Sequence, residues 1–329
     1  MYLLGIETSC DETAAAIIEE DRILSNIILT QTVHSKFGGV VPEIASREHI
    51  RHIVPIVEAA LAEAAVGFSD IGTIAVTRGP GLVGCLLVGV SYARNLGLSL
   101  GVPVIGVNHL EGHIAAAFTD PHLAFPLLCL IASGGHTILV VINGFRNYRI
   151  LGRSRDDAAG EAFDKVAKLL GLGYPGGAKL DSLAEQGDPE KYRFPSVKLK
   201  KGQWDFSFSG IKTAVALKVK SLKEGGFAPA DVAAGFRKAV VGMLISRLRE
   251  GIAFTRCRRL AIAGGVAQNK LLRREVARLS EETGIGCYFP DMSLCGDNGA
   301  MIAMAGKLII DNKIAFEKDF DAAPYLPLE

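Results

Sequence analysis

Much that would assign a class directly is scarce in this sequence. Its 329 residues include one tryptophan, and aromatic residues make up 7%. Net charge is +1, from 36 basic and 35 acidic residues. Global charge therefore gives no pull toward nucleic acid, and any basic surface has to be local. Six cysteines (Cys10, Cys85, Cys129, Cys257, Cys287, Cys295) are scattered, with no C-x-x-C pair, so no disulfide or redox framework is legible. No uninterrupted apolar run reaches the length of a membrane span. The start, Met1-Tyr2-Leu3-Leu4-Gly5, has neither the basic region nor the apolar stretch of a signal peptide. No low-complexity linker is present. A reduced, cytoplasmic, soluble protein with no membrane association is the expectation.

What is present is core and glycine. Hydrophobic residues make up 49% and charged residues 22%. The length suits two domains or one two-lobed body. Many of the 37 glycines stand in turns directly after apolar runs, where they bring backbone close to a ligand. Residues 2–6 read as a strand, 7–13 as a polar turn and 14–18 as a second strand. Residues 31–42 read as loop. Residues 43–65 read as a helix with Ile50, Ile53, Val54, Val57 and Leu61 on one stripe. A strand at 71–77, a helix at about 82–98 and a strand at 102–107 form a parallel βαβ unit. Residues 126–132, Ser133-Gly134-Gly135-His136-Thr137 and 138–142 repeat the opening strand–turn–strand layout. That repetition predicts an α/β fold with an internal duplication and a cleft between two lobes. The expected division is 1–126 with 297–329, and 127–296. Further helices are expected at 156–170, from Ser209 to about Lys223, at 230–254, from Asn269 onward and from Gly299 to about Ile310. A strand is expected at 259–263.

The densest chemistry lies in His109-Leu110-Glu111-Gly112-His113. Histidines four apart on a helix share a face and can offer two nitrogens to one metal ion. Glu111 falls about 200° around the helix from His109, unlike the Glu of an H-E-x-x-H metalloprotease, which adjoins the first histidine. His49 and His52 are a rival pair, but they alternate with Arg47, Glu48 and Arg51 and read as a solvated face. Asp297, at a helix start after Cys295-Gly296, completes a set of His109, His113 and Asp297 with positions left open for substrate. Ser133-Gly134-Gly135 has no bulky side chain, so its backbone N–H groups are free to face an anion. Gly264-Gly265 offers a second close approach. Asn269 reads as a helix cap, Asp164 as a charge on the polar face of its helix, and Asp181 as a possible cap after a glycine loop.

Together these segments resemble a known family: Gly5-Ile6-Glu7-Thr8-Ser9-Cys10-Asp11-Glu12-Thr13, Gly79-Pro80-Gly81-Leu82, His109-Leu110-Glu111-Gly112-His113, Ser133-Gly134-Gly135-His136-Thr137, Gly160-Glu161-Ala162-Phe163-Asp164-Lys165, Tyr174-Pro175-Gly176-Gly177, Phe206-Ser207-Phe208-Ser209-Gly210, Ala263-Gly264-Gly265-Val266 and Asp297-Asn298-Gly299-Ala300. In this order they are similar to the bacterial TsaD family of tRNA N6-adenosine threonylcarbamoyltransferases, once misnamed glycoproteases. The resemblance runs from residue 3 to about 305. It implies a two-lobed actin-like fold, the architecture of sugar kinases and heat-shock ATPases, with duplicated RNase H-like lobes. It implies transfer of a threonylcarbamoyl group from threonylcarbamoyl-AMP to N6 of the adenosine just 3′ of the anticodon. It implies one divalent metal, iron or zinc, on His109, His113 and Asp297. The nucleotide of the donor, or an ATP- or ADP-like nucleotide, would lie against Ile131, Ala132, Ser133, Gly134, Gly135, Asp164, Gly177, Asp181 and Asn269. Partners would be the paralogue TsaB, as a heterodimer, the ATPase TsaE and tRNA.

The donor is an activated anhydride, so no protein nucleophile is needed. The remaining work is positioning, charge stabilisation and removal of a proton from the amine. Asp11 and Glu12 are the candidates for that last role. Lys198-Leu199-Lys200-Lys201, Lys218/Lys220/Lys223, Arg256/Arg258/Arg259 and Arg273/Arg274 are the basic clusters, each read as a solvated face. The tail beyond residue 310 is expected not to touch the site. An actin-fold kinase or ATPase, and a metal-dependent peptidase, are the competing readings.

Overall fold

The computed structural model describes residues 1–120, 122–195, 204–222 and 226–328. They form two compact units, Met1–Pro121 with Gly296–Glu329, and His122–Cys295.

Unit 1 opens with an antiparallel meander of β1 (Tyr2–Glu7), β2 (Glu12–Glu19) and β3 (Arg22–Thr30), followed by parallel β4 (Ile71–Gly79) and β5 (Val104–Asn108), in sheet order β3-β2-β1-β4-β5. β1 and β2 are apolar almost throughout because the sheet is covered on both faces. Leu4, Ile6, Ala15, Ile17, Ile74 and Val76 point to one face and pack under α1 (Pro42–Ala64) and α2 (Val83–Leu100). On α1 the buried residues are Ala45, His49, Ile53, Val57, Ala60 and Leu61, whereas Ile50 and Val54 are 64% and 44% exposed. The expected stripe was therefore displaced around the helix: choosing the bulkiest residues passed over the alanines and the histidine that can approach the sheet. Among the described residues, α2 alone is long and apolar enough by composition to cross a membrane. Its buried residues, Cys85, Leu86, Gly89, Val90, Ala93 and Gly97, recur at the spacing of a helix lying on a sheet. α3 (His109–Ala116) follows β5 directly and is buried along its whole length.

Unit 2 repeats the plan. β6 (Leu127–Ala132), β7 (Thr137–Gly144) and β8 (Asn147–Arg153) form a meander. Parallel β9 (Arg259–Ala263) and β10 (Gly286–Tyr288) extend it in the order β10-β9-β6-β7-β8. Counted from the meander edge, both sheets read third, second, first, fourth, fifth, which is the duplication the two hairpins announced. Helices α4 (Ala159–Leu169), α5 (Gly177–Ala184), α6 (Ser209–Leu222), α7 (Pro229–Thr255) and α8 (Lys270–Thr283) share a core with one face of this sheet, the face of Leu128, Leu130, Leu139, Val141, Leu260 and Ile262. Their core includes Phe163 and Phe236, edge to face at 5.2 Å. β3, β8 and β10 are not among the expected strands. All three are partly exposed, and the run Arg22–Thr30 mixes polar and apolar residues on both faces.

The chain returns to unit 1 as α9 (Gly299–Asp311), on the sheet face opposite α1 and α2. There the strands offer Gly5, Ala16 and Ala75, and the helix answers with Gly299, Ala303 and Gly306. A Cβ on Gly5 would stand 2.2 Å from the Gly299 carbonyl oxygen, and one on Gly306 2.7 Å from the Ala75 Cβ. Small residues on both sides let α9 lie against the backbone, which seats its N-terminus beside α3.

Candidate metal centre and nucleotide loops

The histidine helix starts abruptly. β5 ends at Asn108, whose Oδ1 accepts from the Leu110 N–H at 2.9 Å and caps α3. His109 and His113, one turn apart, have ring centroids 4.7 Å apart and nearly perpendicular planes. Asp297 meets them from just before α9: its Oδ1 lies 3.6 Å from His109 Nε2 and 3.2 Å from His113 Nε2. Asn298 caps α9 through Met301 N–H at 2.9 Å, and Asp297, one residue earlier, stands outside the helix. Ligand atoms about 2.1 Å from a tetrahedral ion are about 3.4 Å from one another, and the observed spacings bracket that figure. Both ring nitrogens of His113 are buried and make no hydrogen bond, although Nε2 has the Asp297 oxygen close by. An imidazole buried in that state is costly unless something takes its lone pair, and a metal ion does. These three residues form a group whose ligand atoms all lie within 4.8 Å. Glu111 is buried on the same helix and lies outside that group.

A residue that the sequence reading placed in a polar turn sits beneath this set. Glu7, the last residue of β1, is fully buried. Its Oε2 accepts from His109 Nδ1 at 3.1 Å and from Thr77 Oγ1 at 2.6 Å, and its Oε1 from Ser9 N–H at 2.5 Å. Bonding Nδ1 to a carboxylate fixes the tautomer and leaves Nε2 toward Asp297. Burial works against the charge of His109, but Asp297 and then Glu7 outweigh it and push the imidazole up to about 9. Burial likewise works against the Glu7 carboxylate, and His109 more than offsets this, holding its pKa below the usual value. The available signal was position: an acid directly after the apolar run Leu3–Ile6 can extend that buried strand by one residue.

Asp11 ends the turn between β1 and β2, and Glu12 opens β2, in the same unit. Burial, then the charges of Asp11 and Asp297, pushes Glu12 well above the ordinary carboxylate range. His49 holds this turn, contrary to its reading as solvated. It is fully buried; Nε2 donates to the Cys10 carbonyl at 3.0 Å, and Nδ1 then accepts from the Thr13 hydroxyl at 2.8 Å. His52 points away and lies 3.3 Å from Glu48, so the two are no metal pair. The tail also departs from expectation. Asn108 Nδ2 donates to the carbonyls of Leu326 and Pro327 at 3.3 and 3.1 Å, so residues near the end of the chain brace the residue preceding His109.

In unit 2 the glycine turns gather where β6 and β9 end. Ser133 N–H donates to the His136 carbonyl at 2.8 Å and closes the turn; Gly134 and Gly135 are exposed, with open space where side chains would stand. Gly160, in the first turn of α4, lies so close to this turn that a Cβ would come within 2.6 Å of the Ser133 carbonyl oxygen. Gly264 has φ +88° and would place a Cβ 2.5 Å from the Ala132 carbonyl oxygen, so only glycine fits. Ile131 and Ala132 are buried in β6. Asp164 is no solvated charge: its Oδ1 accepts from Gly176 and Gly177 N–H at 2.8 and 2.9 Å. Asn269 caps α8 through Leu272 N–H and donates through Nδ2 to Asp181 Oδ1 at 2.8 Å. Asp181 also takes Arg237 Nη1 at 2.9 Å and Lys270 N–H at 3.1 Å. Asp181 and Asn269 thus lock α5, α7 and α8 together next to the glycine turns.

Comparison with known proteins agrees with this architecture. The sequence profile described as TsaD: tRNA N6-adenosine threonylcarbamoyltransferase matches residues 22–304. A protein of that name from Geotalea uraniireducens (strain Rf4) is 50% identical over 333 residues, covering 100% of this chain and 97% of its own. Another from Desulfitobacterium hafniense (strain Y51) is 52% identical over 309 residues, covering 92% and 91%. Among solved structures, full-length HypF in its phosphate- and nucleotide-bound form superposes with a TM-score of 0.62 at 17% identity, over 95% of this chain and 46% of that one. This chain therefore spans less than half of HypF. Component A of the Acidaminococcus fermentans (R)-2-hydroxyglutaryl-CoA dehydratase gives 0.56 at 16% identity, over 94% and 99%. These likenesses establish the fold, which is the actin-like α/β architecture with duplicated RNase H-like lobes. By the extent and identity of its match, the chain belongs to the tRNA N6-adenosine threonylcarbamoyltransferase family.

Proposed function

We propose that the protein transfers the threonylcarbamoyl group of threonylcarbamoyl-AMP to N6 of adenosine 37 in tRNAs that read codons beginning with A. The observation that carries this reading is the orphaned His113 imidazole facing Asp297 and His109, in a chain matched along its length by transferases of that name. A kinase of this fold has no use for such a set, and a peptidase reading lacks a glutamate beside the first histidine. His109, His113 and Asp297 would hold one divalent ion, iron or zinc. When bound, the ion supplies a Lewis acid with open positions to orient an oxygen of the donor.

The chain's own residues do the rest. The nucleotide part of the donor is assigned to unit 2, with its phosphate at the N–H groups of Gly134 and Gly135 and Ser133 beside them. Ile131, Ala132, Asp164, Gly177, Asp181 and Asn269 shape that surface, and an ATP- or ADP-like nucleotide would fit it equally. In the transfer, the adenosine amine forms a bond to the carbamoyl carbon, the bond from that carbon to the phosphate oxygen breaks, AMP leaves, and the amine gives up a proton. Glu12, with its raised pKa, suits that proton transfer, with Asp11 beside it in the turn. A TsaB paralogue and the ATPase TsaE are the proposed partners, and the cytoplasm the proposed location.

The reading is tested by incubating the chain and its partners with tRNA, threonine, bicarbonate, ATP and the adenylate-forming enzyme. Mass spectrometry of the digested tRNA is expected to show threonylcarbamoyladenosine. Its absence with metal-loaded protein would refute the reading, and full turnover by Asp11→Asn and Glu12→Gln would refute the role of the turn.

A further inference from the structure

Four arginines of unit 2 line one pocket of about 360 Å³: Arg149 on β8, and Arg256, Arg258 and Arg259 where α7 gives way to β9. The sequence shows the last three as a cluster. Only the fold adds Arg149, from the hairpin beside it. No carboxylate lines the pocket, and none of the four guanidinium groups has an ion-pair partner among the described residues. Most other exposed arginines have one: Arg47 with Glu43, Arg249 and Arg278 with Glu282, Arg274 with Glu185. The remaining basic clusters offer less. Arg273 is spent on the carbonyls of Ala267 and Pro290, Lys218 lies over the Tyr192 ring, and Lys198–Lys201 and Lys223 fall outside the described residues.

The dipole at the C-terminus of α7 accounts for one cation there but not for four. Arg256 ends that helix at φ 56°, a left-handed position that glycine fills at lower cost. Arg149 is stacked 5.7 Å from the Phe254 ring, which is 54% exposed and packs 4.5 Å from Trp204. Like charges gathered without counter-charge, beside an aromatic pair, form a surface suited to a polyanion with stacking groups.

Position identifies the ligand further. The pocket lies where β6 and β9 begin, beside Pro126 and Arg259, and the glycine turns lie where those strands end. β6 has six residues, so roughly 20 Å separates the two. A mononucleotide cannot reach both. We propose that the arginine pocket anchors the phosphate backbone of an RNA, namely the tRNA of the proposed reaction; the inference rests on that reading.

Binding of unmodified tRNA to the full chain, measured by fluorescence anisotropy from 50 to 200 mM salt, tests it. Removing one arginine–phosphate pair lowers the slope of log affinity against log salt by about 0.7–0.9. The fourfold alanine variant of Arg149, Arg256, Arg258 and Arg259 is therefore expected to lose roughly 3 in slope. Arg249→Ala, whose arginine is already paired on α7, is expected to lose less than half of one. Should the fourfold variant melt early, Arg258→Glu alone is expected to weaken binding at least fivefold at 100 mM salt. Wild-type affinity and slope in a folded variant overturn the proposal. The modification assay separates the two readings. If wild-type protein modifies tRNA while the fourfold variant binds it unchanged, the anchor fails and the function stands. If the slope falls but no modified nucleoside ever forms, the function fails and the anchor stands.

Discussion

Replacing Glu7 by glutamine removes one charge and almost no volume, and it tests whether a buried carboxylate sets the metal centre. Three donors converge on Glu7: Ser9 N–H on one oxygen, Thr77 Oγ1 and His109 Nδ1 on the other. A carboxylate only accepts, so it satisfies all three. A carboxamide cannot. If its oxygen faces Ser9, its NH2 faces His109, which must move its proton to Nε2 and lose the lone pair a metal needs. If the oxygen faces His109, two N–H donors confront each other at Ser9. Either outcome weakens the site. Loss of a carboxylate behind a ligating histidine costs about 10–100-fold in metal affinity, or about 1.4–2.7 kcal/mol. The assay is competition between the protein and a chromogenic chelator for Zn²⁺, with circular dichroism to confirm folding. Thr77→Val, which leaves the Glu7–His109 bond intact, is expected to cost less than threefold. Should the glutamine variant fail to fold, Glu7→Asp shortens the reach to His109 and is expected to weaken binding in the same range. Affinity within twofold of wild type in a folded Glu7→Gln variant would refute the assignment.

Three other outcomes are expected. With His109 raised to about 9, its Nε2 carries a proton below that pH in the metal-free protein, and the proton must leave before a metal binds. Metal affinity should therefore fall as pH drops from 9, by up to about tenfold per unit for this one proton, as competition titrations between pH 6 and 9 would show. His49→Ala unties both ends of the Asp11–Glu12 turn and should lower kcat at least tenfold with metal content unchanged. His49→Gln, which keeps a donor for the Cys10 carbonyl, should recover part of it. Gly264→Ala forces a Cβ against the Ala132 carbonyl at a left-handed φ, and at about 1–2 kcal/mol for the backbone alone it should lower the urea midpoint of unfolding measurably.

The legible parts of this molecule were those written in local pattern. Apolar runs ending in glycine turns gave most strands, the repeated strand–turn–strand gave the duplication, and histidines four apart gave two of the proposed ligands. Asp297 was recognisable because it stands at a helix start and is followed by a nearly uncharged stretch. Other parts depended on partners far away in sequence. His49 sits among charged residues, and only the return of β2 beneath α1 shows that it is buried. Glu7 is one acid among several until Thr77 and His109 arrive from β4 and α3. Arg149 joins its cluster through pairing of β7 with β8. The tail reads as an appendage until Asn108 is seen to donate to Leu326 and Pro327. In each case the partner arrives from a distant segment, and spacing within a segment carries no record of that.

The two copies of the fold show how one topological position takes opposite charge. In both sheets the turn with a proposed role joins the first strand to the second. In unit 1 the last facing pair is Glu7 with Ala14, so six residues close the turn, with acids at Asp11 and Glu12 and a third, Glu7, at the strand end before it. In unit 2 the last pair is Ala132 with Thr137, so four residues close it, and the turn is Ser133, Gly134, Gly135 and His136. The longer turn has room for side chains and carries carboxylates, which suit a cation and a proton in transit. The shorter one removes side chains and leaves N–H groups, which suit a phosphate. Had both turns kept the acids, an anionic nucleotide would meet repulsion at each. Had both kept the glycines, neither would carry a carboxylate for a proton in transit. On this argument, exchanging the unit 2 turn for an acidic one, Gly134→Asp, should abolish nucleotide binding and leave metal affinity in unit 1 unchanged. Isothermal titration with each ligand in turn decides it: retention of nucleotide affinity within threefold would show that the glycine turn is not where the phosphate lies.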